Sequence, residues 1–275
     1  MNLRIKNNRI MVNFLERDRE AFWRDGCFIL RDFVDEQRCI EFREIAEHHL
    51  VNQLAPIEYE ADVQYPGAPE NRDAEGGKTP RRLLQAISRH SKFRCWAQSD
   101  QLVSILEKLF RSADLSLSQT HHNCIMTKQS GYSSETLWHQ DNRYWSFEEE
   151  NLISVWLALG DEDIQNGCLR VIKGSHREEL DPERFDAEQF LRTEMPSNKK
   201  LVDQSVPLEL SVGDALFFHS RLLHAAGRNL TDKPKLSLVF TYHTKKNQPI
   251  QNSRSAKLPE IFLSSRLFDS KKTGP

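Results

Sequence analysis

Residues 137–147 read LWHQDNRYWSF, placing His139 and Asp141 two positions apart among large aromatic side chains. Side chains on an extended strand alternate between faces, so these two point the same way and can reach one object together. An imidazole and a carboxylate that converge are a pair of metal ligands. The same two groups facing water are ordinary surface, so a metal reading needs a further ligand from a distant part of the chain. GDALFFHSRLLHAAGRN offers two, His219 and His224, and the AAG that follows supplies small residues past which backbone can run close to a site.

Two histidines and one carboxylate on different strands, with coordination positions left open, match the facial triad of non-haem Fe(II) oxygenases. Zinc and hydrolysis are also compatible with these ligand types. The ligands need a rigid frame, and the chain has one in its second half. After Leu115 the short β-prone runs LSLSQTHHNCIMTK, LISVWLALG, CLRVIKG, VPLEL, ALFFH and KLSLVFTYH are separated by turn-forming spacers such as QNG and SVGD. That texture predicts a barrel or jelly roll.

Upstream, residues 15–50 read as a helix, an extended stretch CFIL and a second helix opening at Asp35, a good N-cap. A further helix is predicted in SDQLVSILEKLF, capped by Ser99 or Asp100, with Leu102, Val103, Leu106, Leu109 and Phe110 as its apolar stripe. Between Pro56 and Pro80 there are four prolines and three glycines in otherwise charged sequence, which predicts a long loop of the kind that serves as a lid. The charged stretch 176–200 reads as an insertion, part helical, with a solvated face. No internal repeat or low-complexity tract interrupts the pattern.

The expected organisation is one domain over 1–275: helical support with the lid loop to 114, a jelly-roll core over 115–245, and a tail over 246–275. Thirty-eight basic residues against forty acidic leave no overall field that would collect nucleic acid or an anionic membrane. No apolar run is long enough to span a bilayer, and the N-terminal sequence lacks the pattern of an export signal. Five scattered cysteines without metal-ligand spacing fit a reduced, cytoplasmic protein. The expected partners are a small-molecule substrate and dioxygen; oligomeric state is left open.

At these motifs the chain resembles the phytanoyl-CoA dioxygenase family of Fe(II)- and 2-oxoglutarate-dependent oxygenases. FWRDGCFILRDFV, CIMTK, HQDNRYWSF, VWLAL, QNGCLRVIKGSH and GDALFFHSRLLHAAGRN carry the resemblance in that order and cover most of the chain. It implies a mainly β fold with flanking helices: a double-stranded β-helix, cupin-like, with N-terminal helices packed outside. It makes His139, Asp141 and His224 the iron ligands and leaves His219 as a hydrogen-bonded neighbour. The implied activity is hydroxylation of an unactivated C–H bond, with 2-oxoglutarate as cosubstrate and succinate and carbon dioxide released. Related halogenases replace the carboxylate ligand by a small residue, and Asp141 favours hydroxylation over that outcome; desaturation and ring closure stay open.

The resemblance also places Trp156 in the wall of the cosubstrate pocket, or else in the core as a plain tryptophan. One departure stands out. Relatives carry an arginine eleven residues after the distal histidine to hold the far carboxylate of 2-oxoglutarate, and counting from His224 reaches Lys235. A lysine is a point charge where arginine is a two-pronged donor, and Ser237, on the same strand face, is positioned to add a second hydrogen bond. Arg228 and Lys233 are rival cations. Asn142, Arg143 and Tyr144 beside the iron motif, and Arg82 with its neighbour Arg81, are expected to line the substrate pocket, the plainer reading of the arginines being surface charge. His176 reads as a loop residue, and His121 and His122 as facing solvent or core. A barrel that keeps a metal but has lost turnover is the alternative to an enzyme.

Overall fold

The computed structural model describes residues 5–6, 9–10 and 14–263. Two short strands, β1 (Ile5–Lys6) and β2 (Arg9–Ile10), pair with each other at the start. The helices are α1 (Glu16–Asp25), α2 (Glu36–Val51), α3 (Ala86–Arg89), α4 (Ser91–Ala97), α5 (Asp100–Phe110) and α6 (Pro196–Val202). The main strands are β3 (Cys27–Leu30), β4 (Ile57–Tyr59), β5 (Pro80–Leu84), β6 (Leu115–Ser118), β7 (Cys124–Lys128), β8 (Thr136–His139), β9 (Ile153–Ala158), β10 (Leu169–Val171), β11 (Val206–Leu208), β12 (Ala215–His219), β13 (His224–Ala226), β14 (Lys235–Thr244) and β15 (Ile261–Leu263).

All these strands pair antiparallel. A major sheet runs β3-β12-β9-β14-β7-β5-β4, with β6 joined to the far end of β14 and β15 to β6. A minor sheet runs β11-β10-β13-β8. The two face each other as a double-stranded β-helix, and among the described residues no strand pairing closes them into the barrel that the sequence pattern suggested.

Alternation along the central strands separates two cores. Ile153, Val155 and Leu157 of β9, with Leu236, Leu238, Phe240 and Tyr242 of β14, pack against the apolar faces of α2, α4 and α5. Trp156, Ala158 and Val239 point the other way, toward Leu169, Val171, Leu208 and Ala226 of the minor sheet. Both faces of β9 are therefore covered, and this explains why its sequence reads as a continuous apolar run.

The N-terminal region contributes more than helical support. CFIL forms β3 and extends the major sheet beyond β12, while α2 opens at Asp35, whose carboxylate accepts the Arg38 N–H at 2.9 Å. The segment after Pro56 is no bare loop: β4 and β5 add two more strands beside β7. Likewise β15, within the stretch read as a tail, pairs with β6; residues 264–275 of that stretch lie outside the described residues. Strands this short carry too little periodicity to be recognised alone, and their partners lie far along the chain.

Candidate metal centre

β8 and β13 lie side by side in the minor sheet, in a register that sets His139 opposite His224. Their rings come within 4.3 Å, centroid to centroid. Asp141 follows at the first position of a 3-10 turn, where the chain leaves β8 and swings its carboxylate back between the imidazoles. Asp141 Oδ1 is 3.9 Å from His139 Nε2 and 3.8 Å from His224 Nε2. One ligand atom from each residue lies within 4.8 Å of the others, and all three residues are buried.

Hydrogen bonds on the outer side of each ring fix its orientation. His139 Nδ1 lies 2.7 Å from the Leu137 carbonyl and His224 Nδ1 lies 2.9 Å from that of Leu222. A carbonyl can only accept, so each Nδ1 carries the proton and each Nε2 presents its lone pair toward Asp141. Burial holds both imidazoles neutral, His224 down to about 4 and His139 well below its ordinary value, helped by His224. Burial also pushes the Asp141 carboxyl up to about 8, with Arg82 pulling it down.

Neither oxygen of Asp141 has a hydrogen-bond partner among the described residues. A buried carboxylate left bare costs several kcal/mol in principle, and such groups are paired or coordinate a metal. Two neutral imidazoles and one bare carboxylate on one side of a centre fit a divalent cation of the Fe(II) kind, with the opposite side free.

The cavity in front of these ligands is lined from both sheets and from the segment after Pro56. Tyr65, Arg82, Tyr144, Trp156, Phe218 and Lys235 all face it. Arg82 points inward, where surface charge was the plainer expectation, and pairs with Glu58 at 2.8 Å. Arg81 is buried against Glu60 at 3.2 Å and also donates to Ser134 and Thr136. Tyr65 and Tyr144 share a short hydroxyl hydrogen bond, so the segment after Pro56 reaches the metal turn directly. Arg143 lies flat over Phe190 at 3.6 Å and donates to the Tyr144 hydroxyl at 2.8 Å. Asn142 is half-buried, and its amide finds no partner among the described residues.

Three placements differ from the sequence reading. His122, expected in solvent or core, stands 3.6 Å from Asp141 Oδ2, with its Nδ1 at 3.1 Å from the Ser154 hydroxyl. Phe190, inside the stretch read as a solvated insertion, is buried with its ring 6.0 Å from that of His139. His176, read as a loop residue, is buried against His219 and reaches the Trp23 carbonyl at 3.1 Å. His219 is hydrogen-bonded as expected, accepting the Arg221 N–H at 3.1 Å, and stands outside the ligand cluster.

On the opposite wall the predicted cosubstrate residues converge, but on a carboxylate of the protein itself. Glu162 Oε2 lies 2.9 Å from Lys235 Nζ; its Oε1 accepts from Ser237 Oγ at 2.6 Å and from Trp156 Nε1 at 2.9 Å. Glu162 is 2% exposed, and its backbone is held by a reciprocal bridge to Leu210. It lies in GDEDIQNG, which reads as a charged surface turn, so nothing in the sequence marked it. The rival cations lie elsewhere: Arg228 donates to the Ser133 and Gly131 carbonyls, and Lys233 sits in the exposed turn before Pro234.

A two-sheet antiparallel jelly roll holding a His-Asp-His cluster between its walls is the architecture of the non-haem iron oxygenases. The family model for phytanoyl-CoA dioxygenase (PhyH) matches residues 22–237, and the chain belongs to that family. Phytanoyl-CoA dioxygenase 1 of Oryza sativa subsp. japonica is 35% identical over 104 residues, covering 38% of this chain and 37% of the relative. The peroxisomal phytanoyl-CoA dioxygenase of Mus musculus is 36% identical, over 34% of this chain and 29% of its own length. The matched part thus spans well under half of these relatives. Among solved structures, EctD from S. alaskensis aligns with a TM-score of 0.71 at 19% identity, covering 94% of this chain and 85% of that one. The epimerase SnoN, in complex with Fe3+, alpha ketoglutarate and nogalamycin RO, aligns with a TM-score of 0.69 at 22% identity, covering 89% and 90%. SnoK, described as a carbocyclase, shares the fold at a TM-score of 0.68 and 19% identity, covering 92% of this chain and 97% of that one.

Proposed function

We propose that the protein is a non-haem Fe(II)-dependent dioxygenase that uses a 2-oxo acid cosubstrate, 2-oxoglutarate in its relatives, to hydroxylate an unactivated C–H bond of a small metabolite or lipid-derived molecule. The observation that carries this reading is the bare, buried carboxylate of Asp141 between two imidazoles whose Nε2 lone pairs are turned toward it. His139, Asp141 and His224 would hold the iron, which supplies the activation of dioxygen; with 2-oxoglutarate the by-products are succinate and carbon dioxide. Tyr144, Tyr65 and Arg82 would orient the substrate from the open side, with Arg143 holding the Tyr144 hydroxyl. Phe218 and Leu169 form an apolar wall that keeps water from the ligands. The segment between Pro56 and Pro80 would act as a lid through Tyr65.

The structural neighbours include an epimerase, SnoN, and a carbocyclase, SnoK. Hydroxylation is preferred here because it needs no further residue than those facing the cavity. No described helix is long and apolar enough to cross a membrane, and five free cysteines, four of them buried, support a reducing compartment such as the cytoplasm. The second reading, a metal-holding domain without turnover, is favoured by the engagement of Lys235 with Glu162.

Anaerobic titration with Fe(II), followed by addition of a 2-oxo acid, is expected to give one equivalent of bound iron and the weak visible charge-transfer band of a chelated keto acid. Air and a metabolite extract should then yield a product heavier by one oxygen in mass spectrometry. Iron bound without any release of the decarboxylated acid would favour the second reading, and failure to bind iron would overturn both.

A further inference from the structure

Lys235, Ser237 and Trp156 form three sides of a small polar seat in the wall facing the iron ligands. β9 and β14 are paired in the major sheet, with Ser237 opposite Ala158 and Val239 opposite Trp156, so alternate residues of both strands face this seat. The ammonium, the hydroxyl and the indole N–H are all donors, and together they would hold one carboxylate. The carboxylate present is that of Glu162, which lies in the connection after β9 and takes all three bonds. Its oxygens are satisfied, in contrast to those of Asp141.

We propose that Glu162 is the specificity-determining residue of the cosubstrate pocket, and that its carboxylate fills the seat where the far carboxylate of a dicarboxylic 2-oxo acid would bind. This rests on the reading of the chain as a 2-oxo-acid-dependent oxygenase. A single lysine cannot neutralise two buried carboxylates, and two like charges in one small cavity repel strongly. The native pocket therefore favours a 2-oxo monoacid whose apolar tail stops short of Glu162. Met126, Leu169 and Ala226 face the same cavity and provide the surface such a tail would cover.

Arg81, Arg82 and Lys128 also bring cations to this cavity; Arg81 is paired with Glu60 and Arg82 with Glu58, which leaves Lys128, opposite Lys235 in the β7–β14 register. Its Nζ donates to the Ser134 carbonyl at 2.8 Å, and it has no carboxylate within ion-pair distance among the described residues. Burial, with Arg81 and Lys235 nearby, pushes it well below its ordinary value and toward the neutral form, which makes it a poor anchor for a second carboxylate. It is the rival site for the far end of 2-oxoglutarate.

The test uses the full chain under anaerobic Fe(II), with iron uptake measured first, and titrates 2-oxobutyrate and 2-oxoglutarate by calorimetry and by the charge-transfer band. Wild type is expected to bind 2-oxobutyrate at least tenfold more tightly than 2-oxoglutarate. Glu162→Gln should reverse the order, raising 2-oxoglutarate affinity tenfold or more, and adding Lys235→Met should remove that gain. Wild type preferring 2-oxoglutarate would overturn the proposal, and loss of that binding in Lys128→Met would name the true anchor. An unchanged ratio in a folded Glu162→Gln protein would overturn it equally, and if no variant folds the wild-type ratio alone decides. Iron bound with neither acid accepted by wild type or variant rejects the seat while leaving the metal centre standing; no iron bound rejects the parent reading.

Discussion

The two walls of the central cavity are built alike and finished differently. The minor-sheet wall carries Asp141, buried with both carboxylate oxygens bare; the major-sheet wall carries Glu162, equally buried, with a cation and two neutral donors on its oxygens. The first arrangement is costly as a charged group, a cost that protonation of the raised Asp141 carboxyl or a bound cation relieves. The second is complete as it stands. Polar satisfaction, more than residue type, therefore separates a place for a ligand from a place the protein has filled itself.

Replacing each acid with alanine should pull the two walls apart. Asp141→Ala is expected to weaken iron binding by about a hundredfold or more, while the metal-free protein melts at the same temperature or higher, because a bare buried acid has been removed. Calorimetric metal titration and thermal melting of the apo protein measure both. A clear loss of apo stability in Asp141→Ala would mean that this carboxylate is already satisfied without metal. His139→Ala and His224→Ala should show the same loss of iron affinity.

The mirror substitution should behave in the opposite way. Glu162→Ala leaves Lys235 buried without its partner and is expected to cost about 3–5 kcal/mol of folding stability, with iron affinity little changed if the chain stays folded. Denaturant unfolding checks this. The double variant Glu162→Leu with Lys235→Met should recover most of the loss, since a buried ion pair is often replaceable by apolar residues of similar volume. Failure of the double variant to recover would mean that the pair's geometry, and not its charge balance, holds this wall.

A smaller effect is expected from His219, which ends β12 but does not line the cavity and serves as a control. Burial holds it down at about 3, against 6.5 for an ordinary histidine. Below pH 6.5 the unfolded chain takes up a proton that the folded chain refuses, so its contribution to stability is full above that pH and is lost as pH falls toward the folded value. The slope is about 1.4 kcal/mol per pH unit. His219→Gln should flatten the acid limb of a stability-versus-pH profile by that amount; an unaltered limb would show that His121, also held at about 3, or other groups dominate it.

The same contrast explains what the sequence made legible. His139, Asp141 and His224 were readable because their motifs are local and ordered, and the strands bearing them are flanked by recognisable turns. Lys235, Ser237 and Trp156 were picked out together and do share one spot in the fold. Their partner Glu162 was not, because a lone lysine in an apolar strand announces that some buried acid exists without saying which of forty it is. Phe190 was missed because its segment's composition reads as exposed, and His122 because two adjacent histidines in a β-prone run do not show which of them faces inward. The helices α3 and α4 were also missed, being too short to show a periodic face.

The pairing of His139 with His224 across neighbouring strands has a mechanical side. β8 is four residues long and lies at the edge of the minor sheet, paired with β13 through a ladder of irregular register and otherwise met by the Leu191 N–H on the Trp138 carbonyl at 2.8 Å. Edges of this kind fray first, since few amide bonds resist their opening. An ion gripped by His139 and Asp141 on one strand segment and by His224 on the next would stitch that seam, so that loading the metal should slow amide exchange at residues 137–141 far more than in the helices behind the other sheet. The cation would then act as a clasp as well as a reagent, and the open mouth of the cavity would be its firmest edge whenever iron is present.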